Sequence, residues 1–133
     1  MTKKLFRKTA FIFRRDLRLE DNTGLLKALE ESEEVLPIFI FDPRQYKQKQ
    51  NRYFSEHSFQ FMLTSLKELD QDLKNRGSKL FCFEGDPEAV IRQLINKEDL
   101  EAIYINSDYT PFAVKRDESL SKVCNREGVS YIK

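Results

Sequence analysis

Apolar positions along the chain follow two rhythms that alternate. Thr9–Phe13 (TAFIF) is a compact β-branched and aromatic run, which predicts a first strand. Thr23–Ser32 (TGLLKALEES) has helical spacing, with Asn22 placed to cap it. Glu34–Phe41 (EVLPIFIF) predicts a second strand closed by Asp42-Pro43. Proline cannot donate to a ladder, so Pro37 is expected near that strand's start or at a bulge. Asp42–Phe54 is polar, lacks periodicity and predicts an exposed loop. The longest helix is expected from Ser55 to Arg76, where Phe59, Met62, Leu63, Leu66, Leu69 and Leu73 form one apolar stripe and Gly77 ends it. Lys79–Glu84 predicts a third strand. Asp86–Ile95 predicts a helix with Asp86 as N-cap and Pro87 in its first position. Ala102–Asn106 predicts a fourth strand, Thr110-Pro111 opens a helix running to about Glu127 that Gly128 stops, and VSYIK begins a fifth strand.

This order is β-α-β-α-β-α-β-α-β. Short strands that are apolar on both faces and alternate with helices predict a parallel sheet covered on both sides. The expected fold is α/β, a five-stranded parallel, Rossmann-like, doubly wound sheet with helices on both faces. Residues 1–133 suit one domain. The chain ends on its fifth strand with no closing helix, which reads as one domain cut from a longer protein.

Composition narrows the function classes. Hydrophobic residues make up 40% of the chain, which argues against disorder. Lys and Arg total 23 against 22 Asp and Glu, a net charge of +1. A chain that binds nucleic acid unaided usually carries a basic excess, so DNA contact is expected to need a local patch or a partner. No apolar stretch has the length of a membrane span, and no signal-peptide apolar region follows the basic start. Cys82 and Cys124 have no His or Cys at ligand spacing; both are expected as reduced core residues, as in a cytoplasmic protein. The single histidine, His57, rules out a Ser-His-Asp or Cys-His arrangement built on a second histidine and reads as a helix-end residue. None of the four glycines forms G-x-G-x-x-G or a P-loop, so a grip on a dinucleotide pyrophosphate is not expected. The acidic pairs Glu30-Glu31 and Glu33-Glu34 read as solvated surface. No catalytic residue and no metal ligand is assigned.

Ligands of open parallel sheets bind beyond the carboxyl ends of the strands. Attention therefore falls on Arg14–Asp16, Asp42–Arg44, Gly85-Asp86 and Asn106-Ser107-Asp108. The stretch FRRDLRLEDN (Phe13–Asn22) stands out, with three arginines, two aspartates and a glutamate directly behind a buried strand. On a structural reading, Asp16, Asp21 and Asn22 accept from free N–H groups around the turn. Arg14, Arg15 and Arg18 then pair with carboxylates, and Leu17 and Leu19 point inward. On the alternative reading the arginines face a ligand or a partner surface, for which a guanidinium is well suited.

The same stretch resembles the N-terminal signature of the photolyase/cryptochrome family. PIFIFDP (Pro37–Pro43) is similar to that family's second strand and its Asp-Pro exit. Ser65–Pro87 resembles its long helix and the following Gly-(Asp/Asn)-Pro run, and NSDYTPFAVKRD (Asn106–Asp117) resembles the segment that ends in Arg-Asp. The resemblance implies the light-harvesting, antenna-binding α/β domain of a deoxyribodipyrimidine photolyase, which repairs pyrimidine dimers in DNA. It also implies a C-terminal helical domain that binds FAD and UV-damaged DNA. Arg14, Arg15, Asp16, Arg18, Asp21 and Asn22 would then brace the domain junction. Two alternatives stay open: a cryptochrome photoreceptor domain, and a stand-alone α/β nucleotide-binding module.

The resemblance also bears on the antenna. Folate-type members carry an Asn-Glu pair where this chain has Phe112 and Ala113, so methenyltetrahydrofolate is disfavoured. Deazaflavin-type members show Asp-x-x-Pro-aromatic, which here reads Asp108-Tyr109-Thr110-Pro111-Phe112. They also use the end of the second strand, matching Ile40, Phe41 and Asp42, and often an arginine where this chain has Ser58. An 8-hydroxy-5-deazaflavin or a flavin is thus expected ahead of folate.

Overall fold

The computed structural model describes residues 4–14, 16–43, 56–107 and 110–133. The strands are β1 (Phe6–Phe13), β2 (Ser32–Phe41), β3 (Phe81–Glu84), β4 (Ala102–Ile105) and β5 (Ser130–Ile132). Between them lie α1 (Thr23–Glu31), α2 (Glu56–Asn75), α3 (Pro87–Glu98) and α4 (Pro111–Arg126). All the pairings are parallel and the sheet order is β3-β2-β1-β4-β5, as the alternating pattern predicts.

Because successive strand side chains point to opposite faces, each strand feeds two cores. Ala10 and Ile12, Ile38 and Ile40, and Ile103 and Ile105 meet Ile91, Leu94, Leu120 and Val123 of α3 and α4 in an aliphatic core. Phe11 and Phe13, Phe39, and Ala102 and Tyr104 meet Leu25 and Ala28 of α1 and Leu66, Leu69 and Leu73 of α2 in a core rich in aromatics. Phe11 and Phe13 stack edge to face at 4.8 Å, as do Phe39 and Phe41 at 4.9 Å. Each large apolar side chain so buried contributes about 1.5–3 kcal/mol of transfer free energy.

The helix signals act mostly as their chemistry requires. Asn22 accepts from the Leu25 amide, and Thr110 Oγ1 accepts from the Ala113 amide. Pro87 occupies the first turn of α3, but Asp86, at the N-cap position, makes no side-chain cap bond. After α2, Ser78 N donates to Leu73 O and Gly77 N donates to Lys74 O, a Schellman turn in which Gly77 takes φ +81°.

Several expectations need correction. β2 begins at Ser32, two residues before the expected Glu34, and Glu33 and Glu34 are exposed on it. Glu31 accepts the Tyr104 hydroxyl at 2.5 Å instead of lying free in solvent. Pro37 is neither at the strand's start nor in a bulge. It lies in unbroken register opposite Phe11, and β3 pairs only from Ile38 onward, so no strand needs its missing donor on that side. Cys124 is buried and free as expected, whereas Cys82 is free and exposed. It lies on edge strand β3, where the α2 stripe of Leu66, Leu69 and Leu73 does not cover it. Of the exposed loop expected over Asp42–Phe54, residues 44–54 lie outside those described, and Asp42 is buried instead.

Ile103→Ala, at a fully buried position of β4, is expected to cost about 2–5 kcal/mol in urea denaturation. Gly77→Ala meets no atom within 4 Å, so it should cost only the left-handed backbone strain of about 1–2 kcal/mol.

Candidate functional site

The carboxyl ends of β1, β2 and β4 release Arg14, Asp42 and Asn106 onto one edge of the sheet. A charged side chain leaving a fully covered strand must find a partner before it reaches water. Arg14 finds it across the sheet edge. Its Nη1 donates to Asp117 Oδ1 of α4 at 2.8 Å, and its Nη2 lies 3.4 Å from Asp117 Oδ2. The Arg14 and Asp117 side chains are 7% and 3% exposed. Arg14 Nη2 also donates to the Asn106 backbone carbonyl.

Two more charges surround this pair. Asp42 is 1% exposed. Burial pulls the Arg116 guanidinium below its ordinary pKa and neighbouring Arg14 adds to that, while the carboxylates of Asp117 and Asp42 act in the opposite direction. Two arginines and two aspartates thus balance within one low-dielectric cluster. Tyr131 of β5 lies under it; burial raises its phenol pKa, the Asp117 charge raises it further, and its hydroxyl forms no hydrogen bond of good geometry. On the outer side of α4, a cleft of about 320 Å³ lies between Asp117, Ser121, Lys122, Tyr131 and Lys133.

A second network adjoins the first. Asp16 Oδ1 accepts from the Arg14 amide at 2.8 Å, and Asp16 Oδ2 accepts from Asn106 Nδ2. Asn106 Nδ2 also donates to Asn22 Oδ1 at 2.7 Å, and Asn106 Oδ1 accepts from the Gly24 amide at 2.9 Å. Asn22 Nδ2 donates to Arg18 O at 3.1 Å. The turn is therefore tied to the β4 exit and to the first turn of α1.

The residues singled out from the sequence separate into groups. Arg14, Asp16 and Asn22 come together in this interior network, and Leu17 and Leu19 pack against the aromatic core as expected. Arg18 and Asp21 are exposed, Arg18 bonding the Asp21 backbone oxygen at 3.2 Å and not a carboxylate. Ile40 sends its side chain into the aliphatic core, Phe41 is half-buried at the rim, and Asp42 faces the ionic cluster. Ser58 and Phe112 fall in the first turns of α2 and α4. Arg15, Asp108 and Tyr109 lie outside the described residues. Asn106 was singled out only as a strand exit, and Arg116, Asp117 and Tyr131 were not singled out as site residues. The usable signal was the buried-strand exit itself: an arginine leaving a covered strand demands a carboxylate, and the Arg116-Asp117 pair was available to supply it. Among the described residues no group of His, Cys, Asp and Glu is arranged to hold a metal, and no helix is long and apolar enough to cross a membrane.

The sequence profile of the family described as DNA photolyase matches residues 9–133. The chain is 35% identical over 119 residues to blue-light photoreceptor PHR2 of Arabidopsis thaliana, covering 88% of this chain and 27% of that protein. It is 33% identical over 119 residues to the deoxyribodipyrimidine photo-lyase of Synechococcus sp., covering 90% and 24%. Among solved structures, an archaeal photolyase from Sulfolobus tokodaii superposes with TM-score 0.88 at 50% identity, over 94% of this chain and 28% of that one. That crystal structure holds two FAD molecules, described as implying a novel light-harvesting cofactor. The chain spans about a quarter of the length of these relatives.

Removing one member of the buried pair strands the other charge. Asp117→Ala is expected to cost about 3–5 kcal/mol in chemical denaturation, whereas Arg14→Met combined with Asp117→Leu should recover most of that loss. A double-mutant cycle measures the difference.

Proposed function

The chain belongs to the DNA photolyase family, and from that premise we propose that it is the light-harvesting, antenna-binding domain of a deoxyribodipyrimidine photolyase that repairs UV-induced pyrimidine dimers. The observation that carries this reading is the 50% identity to the Sulfolobus tokodaii photolyase with its two FAD molecules. The likeness to PHR2, at 35%, supports a cryptochrome-type photoreceptor as the second reading. On either reading a C-terminal domain of the same protein binds FAD, and on the photolyase reading it also meets the damaged DNA, while the present domain supplies neither catalytic residues nor a basic DNA surface. It acts in the cytoplasm.

Which antenna suits the residues follows from the donor set. Ala113 is buried, and its methyl offers no acceptor for a pterin. The β2 exit offers the half-buried Phe41 ring as apolar surface for a planar chromophore, whereas the Asp42 carboxylate is turned into the ionic cluster. Asp108, Tyr109 and Phe112 would complete the opposite wall, Asp108 accepting from a ring hydroxyl or N–H and the two aromatics offering stacking surface. Ile40 would contribute through its backbone and Ser58 through the start of α2. An 8-hydroxy-5-deazaflavin or a flavin, including a second FAD, suits these residues better than methenyltetrahydrofolate. When bound, such a group absorbs light and passes the excitation to the catalytic FAD. The chain's own residues hold the ring, exclude water and fix its orientation. The exposed Arg18, Glu20 and Asp21, with Arg15, would meet the partner domain.

Fluorescence titration with FMN, 8-hydroxy-5-deazaflavin and methenyltetrahydrofolate tests the site. A flavin-like ring should bind in preference to folate, and Asp108→Ala should weaken it by about 1–3 kcal/mol, the cost of an unsatisfied buried polar group. Tight folate binding insensitive to Asp108→Ala would overturn both the chromophore and the pocket. Fluorescence anisotropy with duplex DNA should show no micromolar affinity at physiological salt, given the net charge of +1.

A further inference from the structure

The sheet order β3-β2-β1-β4-β5 reverses between β1 and β4, where doubly wound folds open their ligand crevice. In dinucleotide-binding members of that architecture the pyrophosphate meets the first helix N-terminus in this crevice, drawn by free amides and the helix dipole. Here the place is filled by the protein itself. The Gly24 amide donates to Asn106 Oδ1 and the Leu25 amide to Asn22 Oδ1. Asn106 Nδ2 is in turn held by Asn22 and Asp16, and its carbonyl by Arg14. A Cβ on Gly24 would lie 2.3 Å from Asn106 Oδ1. A glycine that in other folds lets a phosphate approach the backbone thus lets an asparagine approach it. Asp16 adds a carboxylate where an anion would have to sit.

We infer that Asn106 is a specificity-determining residue that closes the β1/β4 crevice to phosphate groups. It is an internal stand-in for a phosphate, bonded to the Gly24 amide a phosphate would use and braced by Asp16 and Asn22, while Asn22 itself caps the Leu25 amide. A phosphate-bearing ligand of this domain must then place its phosphate away from the α1 N-terminus, and recognition falls on its ring. This goes beyond the antenna proposal and does not depend on it, because it concerns phosphoanions alone.

The test is amide NMR of the isotope-labelled chain titrated with inorganic pyrophosphate, alongside an opened variant. In the wild-type chain the Gly24 and Leu25 amide signals should stay in place at millimolar pyrophosphate. In Asn106→Gly combined with Asp16→Asn, which removes the opposing carboxylate, the freed Gly24 signal should shift saturably, with affinity roughly tenfold or more above the wild-type limit, a gain of about 1.4 kcal/mol. If that variant loses its dispersed spectrum, Asn106→Ser with Asp16→Asn carries the test, since it keeps a hydroxyl to satisfy Asn22 while shortening the plug. Saturable shifts of Gly24 and Leu25 in the wild-type chain would overturn the inference. So would a folded, opened variant whose Gly24 amide ignores pyrophosphate. Flavin titration gives a separate reading, so failure of the antenna site and failure of the seal are distinguishable.

Discussion

The ion pair between Arg14 and Asp117 sets the geometry of the sheet's functional edge. It joins the residue that leaves β1 to the second turn of α4, 103 positions later in the chain, and both side chains are almost wholly buried. A buried pair of this kind gains little over an apolar pair of the same shape, because desolvation offsets most of the Coulomb attraction. Its value lies in direction. The guanidinium also reaches the Asn106 carbonyl, so one side chain fixes the exits of β1 and β4 and the start of α4 relative to each other. Asp42 and Arg116 then complete a neutral cluster, and Asp16 and Asn22 anchor the turn to it.

The density of charge behind β1 has its cause here. The strand is covered on both faces, so its exit cannot pass gradually into solvent. Arg14, Asp16 and Asn22 turn inward to satisfy the cluster and the free amides of α1. Arg18, Glu20 and Asp21 stay exposed. Structural bracing and an outward-facing surface are therefore successive positions of one stretch, and the two readings of that stretch are compatible.

Fold legibility followed burial. Strands covered on both faces read clearly because Ile12, Phe39 or Ile103 have no solvated phase to break the run. Boundaries failed where a strand outruns its cover: Phe6–Lys8 and Ser32–Glu34 are paired in the sheet yet carry charged, exposed residues, and hydrophobicity does not report backbone pairing. Cys82 failed for the related reason that residue type says nothing about lying on an edge. In the site, local contacts such as the Asn22 cap were visible from spacing alone. Asn106 and Asp117 were not, since their partners lie 82 to 103 residues away and only the topology brings them together.

The same crevice logic separates this domain from dinucleotide folds that share its strand order. Those folds leave helix amides unpaired and let a ligand satisfy them. Here the amides of Gly24 and Leu25 are satisfied before any ligand arrives, and Asp16 sets the local charge against an anion. On the proposed reading, recognition at the carboxyl edge falls on ring surface such as the half-buried Phe41. Ring stacking of that kind would favour a flat, conjugated molecule and would dispense with the glycine-rich loop that the sequence lacks. The absent phosphate motif and the half-buried Asn106 agree with one inference, that the floor of this sheet edge is closed to phosphate.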